Sequence, residues 1–429
     1  MKYYSTRDTG RRSPYGLDEA AFMGLAPDGG LFVPERIPQV DMERVAQLAE
    51  RSYADMAAYV AAAIMDDMDP DMLRGAVHAA YDFPISLHEV GDGLYTLELF
   101  HGPTFAFKDF GARFMGRVAG VLNGGRQLTV LAATSGDTGS AVAHGFSGVE
   151  GVRVVILYPE GKVSPLQEAQ MTTLGGNIHP LRVDGTFDDC QRLVKEIFRD
   201  ETLRRRVRIT SANSINLLRW LPQSFYYFYG WAAWRRATGR DEPDVVVPSG
   251  NYGNLAAGML VRRMGLPVRR FVAASNANDV VPEFLRTGVY RPRPSVRTVA
   301  NAMDVGAPSN FERMLWLCGG DPEALRRELC GFSCGDDDIL SLMGEMNDRY
   351  GYLSDPHSAV GYGAARALGA DGFWLSTAHA AKFGDAVRRA TGAEAPLPPA
   401  LDAMMRRERH SRSMAADAVA LREFLMSLG

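Results

Sequence analysis

The sequence predicts an α/β protein with two parallel-sheet domains and a small, mostly helical N-terminal domain. Three observations lead there. Short apolar runs such as Val152 to Tyr158 are hydrophobic on both faces, as strands of a doubly covered parallel sheet are. Helical patterns alternate with these runs from Gln127 onward. Residues 1–92 lack that alternation and read as turns followed by helices. The chain has 429 residues, and at about 150 residues per domain this gives two or three domains.

The elements follow in order. Gly29-Gly30, Pro34 and Pro38 mark a turn-rich entry. Asp41 is placed to cap a helix carrying Met42, Val45 and Leu48 at helical spacing. The alanine-rich stretch Ala57 to Met65 reads as a buried helix face. Thr129 to Ala133 is a short strand, then comes a Gly-rich turn and a helix from Ser140. After the strand ending at Pro159, Ser164-Pro165-Leu166-Gln167 forms a capping box with proline in the first turn, and Gly175-Gly176 stops that helix. Asp244 to Val247 is a further strand, followed by a Gly-rich turn and a helix from Leu255. Arg269 to Ser275 and Gly372 to Thr377 are the late strands. Ligands of such sheets lie at the carboxyl ends of the strands, where these turns sit.

Composition removes several function classes. Lys plus Arg is 47 against 51 Asp plus Glu, a net charge of −4, so no basic surface for nucleic acid is expected. The polar start, Met1 to Asp8, lacks the apolar core of a signal peptide. No apolar stretch is long enough for a membrane span. Cys190, Cys318, Cys330 and Cys334 have neither zinc-site spacing nor the density of a disulfide scaffold. No metal site is expected, and a reducing cytoplasm suits the chain.

Four segments carry chemistry. Ser249-Gly250-Asn251-Tyr252-Gly253-Asn254 stands between a strand and a helix. Its glycines and the following helix N-terminus can present N–H groups to a phosphate. The spacing matches neither a Walker loop nor a dinucleotide fingerprint, and a ligand-free Gly-rich turn is the plain alternative. Thr134-Ser135-Gly136-Asp137-Thr138-Gly139 repeats the arrangement, with helix capping as the ordinary explanation. Lys108 lies among Phe105, Phe107 and Phe110. Lysine is normally a solvated surface residue, but an apolar pocket favours the neutral amine, which can form a Schiff base. Ser376-Thr377-Ala378-His379 ends a late strand and places a hydroxyl at the crevice. His101, His144, His357 and His379 read as packing or capping residues.

Together these segments resemble the threonine synthase family of pyridoxal-phosphate enzymes along nearly the whole chain. The resemblance rests on Gly24-Leu25-Ala26-Pro27-Asp28-Gly29-Gly30-Leu31, Leu99 to Thr104, Lys108-Asp109-Phe110-Gly111 and Thr134 to Gly139. It continues through Leu157-Tyr158-Pro159 with Gly161 and Val163-Ser164, then Ser211-Ala212-Asn213-Ser214-Ile215-Asn216. Asn301-Ala302-Met303-Asp304-Val305 and Thr377-Ala378-His379 with Lys382-Phe383 complete it. It implies the tryptophan-synthase-β type fold, fold type II. The large cofactor domain would comprise 93–126 and 236–429, and the small domain 127–235.

The resemblance also assigns residues. Lys108 matches the lysine that holds pyridoxal 5'-phosphate as a Schiff base and acts in catalysis. Gly250, Asn251, Tyr252, Gly253 and Asn254 match the cofactor-phosphate loop, and Thr377 matches the residue beside the pyridine nitrogen. Ser135, Asp137 and Thr138 match a loop near substrate and ring. Lys162 and Arg113 lie in matching segments and are nominated for the substrate phosphate. The implied reaction converts O-phospho-L-homoserine and water to L-threonine and phosphate, the last step of threonine biosynthesis, by a cytoplasmic monomer or homodimer. Three departures stand out: Asn254 where the family usually has Asp, Tyr252 where it has Phe, and Ala380 where it often has Pro. They leave room for a relative that runs another elimination or replacement. A cofactor-free binding protein is the remaining alternative class.

Overall fold

A computed structural model describes residues 1–428. The N-terminal region pairs the strands Tyr3–Ser5 and Phe32–Pro34 antiparallel, then runs through helices Met42–Arg51, Tyr53–Ile64 and Pro70–Ala80. Asp41 caps the first of these, accepting from the amides of Glu43 and Arg44. The Ala57–Met65 segment buries one face, through Ala57, Val60, Ala61, Ile64 and Met65, and leaves Ala62 exposed.

Two sheets follow. The large sheet has six strands in the order Leu329–Ser333, Arg270–Ser275, Asp244–Pro248, Gly372–Ser376, Leu94–Glu98 and Ser86–Gly91. All pairs are parallel except the last. The small sheet has five parallel strands, Arg412–Ala415, Ile178–Asp184, Val152–Pro159, Leu128–Ala133 and Ile209–Ser211. Their apolar side chains are buried on both faces, which is why these runs do not alternate.

The sheets divide the chain differently from the expected boundaries in two places. Ser86–Gly91 belongs to the large sheet through its antiparallel pairing with Leu94–Glu98, so the N-terminal domain gives way before residue 92. Arg412–Ala415 leaves the large domain and extends the small sheet at Ile178–Asp184. Its helix Ala418–Ser427 buries Leu421 and Leu425 in the small-domain core with Leu193 and Ile197. Helix limits also moved. The capping box at Ser164 forms, but the helix closes at Thr172, ahead of the two left-handed glycines 175 and 176. The two turn-borne helices start early, at Asp137 and Gly253.

The seam between the domains is a continuous aromatic core. Helix Lys108–Asn123 enters it through Phe110, which meets Tyr53, Phe83 and Tyr226 edge to face. Such pairs add about 0.5–1.5 kcal/mol each beyond area burial. They fix the helix on which Lys108 is the first residue, and hence where its amine emerges.

Candidate active site

The site lies in the crevice between the two sheets, at the carboxyl ends of their strands. An inner chamber of about 180 Å³ is bounded by Lys108, the 249–254 loop, Arg219, His357 and Thr377. An outer chamber of about 800 Å³ opens beyond it, between Ser135, Lys162, Gln167, Arg297 and Asn301. Lys108, Asp137, Thr138 and Ala302 line both.

The 249–254 loop caps the strand Asp244–Pro248 and turns into helix Gly253–Arg263. Tyr252 takes the left-handed conformation, φ 60°, at the helix entry. Its ring is buried and its hydroxyl meets Ser275, so only its backbone faces the chamber wall. The Asn251 side chain is likewise engaged, donating to Ser214 Oγ at 2.9 Å and accepting from the Ser309 amide at 2.7 Å. Gly250 lies against Met303: a Cβ there would stand 2.6 Å from the Met303 Cα. The first-turn N–H groups have no partner within the helix. Tyr226 and Tyr227 hydroxyls donate to Asn254 Oδ1 at 2.6 and 2.7 Å, leaving the buried Asn254 Nδ2 unpartnered among the described residues. The Nε of buried Arg219 is unpartnered too. Both residues line the inner chamber, and each has a donor free for an anion there. Asn254 can donate there, which the family's usual carboxylate cannot.

Thr377 directly follows the strand Gly372–Ser376. Its amide donates to Ser358 Oγ at 3.0 Å, and among the described residues its hydroxyl makes no hydrogen bond. His357 faces the chamber from the same helix start. Its Nε2 accepts from the Ala302 amide at 3.1 Å, and its Nδ1 lies 2.7 Å from Asp355. That pair pins the 301–303 turn against Gly250. The sequence reads His357 as a packing or capping residue, and its ring is held by these two contacts.

Of the three phenylalanines around Lys108, Phe107 alone lines the inner chamber with it. Phe110 points into the core, and Phe105, at φ 56°, turns toward His379. Instead the amine faces Asp137 Oδ2 at 3.6 Å. Lys382 Nζ holds the other oxygen, Oδ1, at 2.8 Å, and Gln167 Nε2 donates to it at 2.9 Å. Burial is the main force lowering the Lys108 pKa. Asp137 opposes it, and the cations Lys382 and Arg219 add to it. Burial would raise Asp137, but Lys382 and Lys108 outweigh it and hold the carboxyl well below its ordinary value. Arg219 is pushed down to about 10 by burial. Asp109, buried under the loop, is raised by burial to about 6, although Thr104 donates to it through both N and Oγ1.

Ser135, Thr138 and Lys162 line the outer chamber. Arg113 does not. Its Nε donates to Ala80 O at 2.7 Å and its guanidinium pairs with Asp82 at 2.7 Å, on the N-terminal domain side of the helix. Five residues past Lys108 is about 140° round a helix, so the two side chains diverge. Lys382, Arg219, Gln167 and Arg297 were not anticipated as site residues. Lys382 lay inside a quoted motif, and its burial was the missing signal.

Comparison with known proteins fits this arrangement. Residues 83–373 match the family of pyridoxal-phosphate dependent enzymes, and residues 2–81 and 358–425 match the threonine synthase N-terminal and C-terminal families. A threonine synthase of Serratia marcescens is 43% identical over 100% of both chains. The chain belongs to the threonine synthase family. Its members include a threonine synthase of Escherichia coli K12, 41% identical over 100% of both chains. Among solved threonine synthases, the pyridoxal-phosphate-bound structure from Brucella melitensis superposes with a TM-score of 0.93 at 34% identity, covering 100% of this chain and 99% of that one. The Escherichia coli structure gives 0.87 at 40% identity over 100% of both. Family membership makes the chain a pyridoxal-phosphate enzyme, and the unpartnered donors at the 249–254 loop fit that cofactor's phosphate. Among the described residues no helix is long and apolar enough to cross a membrane.

Proposed function

We propose that the chain converts O-phospho-L-homoserine and water to L-threonine and phosphate in the cytoplasm. The observation carrying this reading is the position of Lys108, the only lysine common to both chambers. The inner chamber supplies phosphate donors at the 249–254 loop, and the outer one carries the exposed cations Lys162 and Arg297. Four free cysteines suit a reducing compartment.

In this reading the residues divide the work. The loop amides, Asn254 Nδ2 and Arg219 hold the cofactor phosphate. The free Thr377 hydroxyl offers a neutral hydrogen bond to the pyridine nitrogen. Bound pyridoxal phosphate supplies the sink for electrons left at the substrate Cα. Lys108 takes the Cα proton, and burial lowers its pKa from the ordinary lysine value, which favours the neutral amine. Lys162 and Arg297, which both line the outer chamber, bind the substrate phosphate. Ser135 and Thr138 lie beside the substrate, where their hydroxyls can accept or donate. Water enters only after phosphate leaves, so closing the outer chamber protects the reacting atoms.

The deciding experiment incubates purified, cofactor-loaded protein with O-phospho-L-homoserine and identifies the products. Stoichiometric threonine and phosphate are expected. A keto acid with phosphate but no threonine would favour a related elimination instead.

A further inference from the structure

Lys382 is a buried cation beside the crevice: its side chain is 0% exposed, and that of its partner Asp137 is 7% exposed. A buried ammonium is costly unless paired and hydrogen-bonded. Lys382 meets both conditions, through Asp137 Oδ1 at 2.8 Å and the Thr104 carbonyl at 2.7 Å. The two acceptors belong to different parts of the molecule. Asp137 starts a helix of the small domain, and Thr104 lies in the loop leading to Lys108. Lys382 itself stands in the 3₁₀ turn Ala380–Phe383, after the large-sheet strand Gly372–Ser376. The ion pair therefore spans the crevice. Gln170 of the small domain reaches the same Thr104 carbonyl at 3.1 Å.

The division of the carboxylate is the informative detail. Oδ1 is occupied by Lys382 and Gln167, and Oδ2 is left to Lys108. Gly136 allows the close fit, since a Cβ there would stand 2.5 Å from the Gln167 side chain, and its φ is 151°. We propose that Lys382 is a positioning residue for the reactive lysine: it reaches across the crevice, fixes the Asp137 carboxylate, and sets the charge that Lys108 meets. This rests on Lys108 being the reactive amine, but not on the identity of the substrate.

The opposed charges give the two partners opposite effects on Lys108. Without Lys382, the amine faces an unshared carboxylate and gains a proton more readily. Without the Asp137 charge, it faces Lys382 and Arg219 alone and holds its proton less. The other titratable groups around the trio are Asp109, Arg219, His144 and His379. Asp109 titrates near 6, Arg219 near 10, His144 near 4, and burial lowers His379.

The test measures acetylation of Lys108 in the full-length apoenzyme across pH 7–9, read by mass spectrometry of its peptide. Lys382→Met is expected to lower the rate at a fixed pH by about tenfold, equivalent to one pH unit. Lys382→Arg should keep it within about twofold of the parent, since the charge stays. Asp137→Asn should raise it, and the double variant should return it toward the parent rate. In the cofactor-loaded enzyme, where substrate frees the Lys108 amine, the acid limb of kcat should move up by about one pH unit in Lys382→Met and be rescued in Lys382→Arg. An unmoved labelling profile in Lys382→Met, or a shift of the same sign in both single variants, overturns the proposal. If Lys382→Met does not fold, the Asp137→Asn arm decides: labelling at or below the parent rate overturns it. Labelling needs no substrate, so a failed product assay leaves this result intact.

Discussion

The two chambers share Lys108 but are built by different means. The inner one is walled by backbone amides, buried donors and a buried ion pair, with Gly250 fitted against Met303 and Asn251 bonded to two neighbours. The outer one is wider, and its cations Lys162 and Arg297 are exposed, with no ion pair found for either among the described residues. A rigid wall suits a group that stays through every turnover. An open, cationic wall suits a group that must enter, lose phosphate and leave. The difference teaches where changes are tolerated: the inner wall should fail abruptly, the outer one by degrees.

The sharpest break is at the shared residue. Lys108→Ala is expected to cost at least about 10³-fold in turnover, as loss of a positioned proton-transfer group does. Borohydride reduction of the loaded parent followed by peptide mapping should place the cofactor adduct on Lys108; an adduct on Lys162 would contradict the assignment. Next comes the inner wall. A Cβ at Gly253 would stand 3.3 Å from Asn310, whose amide supports the Asn251 carbonyl. Gly253→Val should therefore weaken cofactor binding by about tenfold or more, about 1.4 kcal/mol. Retention of parental cofactor occupancy after dialysis would refute this.

Under the 102–104 loop, burial raises the Asp109 pKa to about 6, against 3.8 for the free group. A raised carboxyl favours the protonated folded form. Its contribution is thus full below pH 3.8 and is lost as pH rises through 6. Asp109→Asn should remove about 1–3 kcal/mol of that decline from the stability curve between these values, measured by denaturant titration against pH. An unchanged slope would show that Asp109 does not titrate there. The mildest effect belongs to the outer wall. Lys162→Ala and Arg297→Ala should each raise KM by about threefold to tenfold, because exposed cations bind through screened charge. Cofactor affinity should stay at the parental value; a fall would mean that the outer cations also hold the cofactor.

The same contrast explains what could be read from the chain alone. The 249–254 loop, Lys108 and Thr377, which line one chamber, were legible as candidates because each sits in a local pattern whose chemistry is sequential. Lys382 and Arg219 were not, because what makes them unusual is burial against residues that are distant in sequence. Arg297 has no local pattern at all, and the 301–305 segment carries it to the crevice edge. Arg113 was misread because helix phase, not proximity in sequence, decides which side chains share a face. The strands Ile178–Asp184 and Arg412–Ala415 escaped notice for a similar reason: His179, Pro180 and Arg182 interrupt the first, and Arg-Ser-Met-Ala lacks a strand pattern.

That last strand has a consequence for a chain still being made. Ile178–Asp184 takes Arg412–Ala415 as its outer neighbour. Until the later strand emerges from the ribosome, the hydrogen-bonding groups along the earlier one have only a single partner strand. An open strand edge is a template for any passing extended chain. Arg182, whose guanidinium bonds to Ser413 in the finished fold, then stands on that bare edge as a charge that discourages such pairing. The nascent protein is thus shielded by the very side chain that later fastens its final strand.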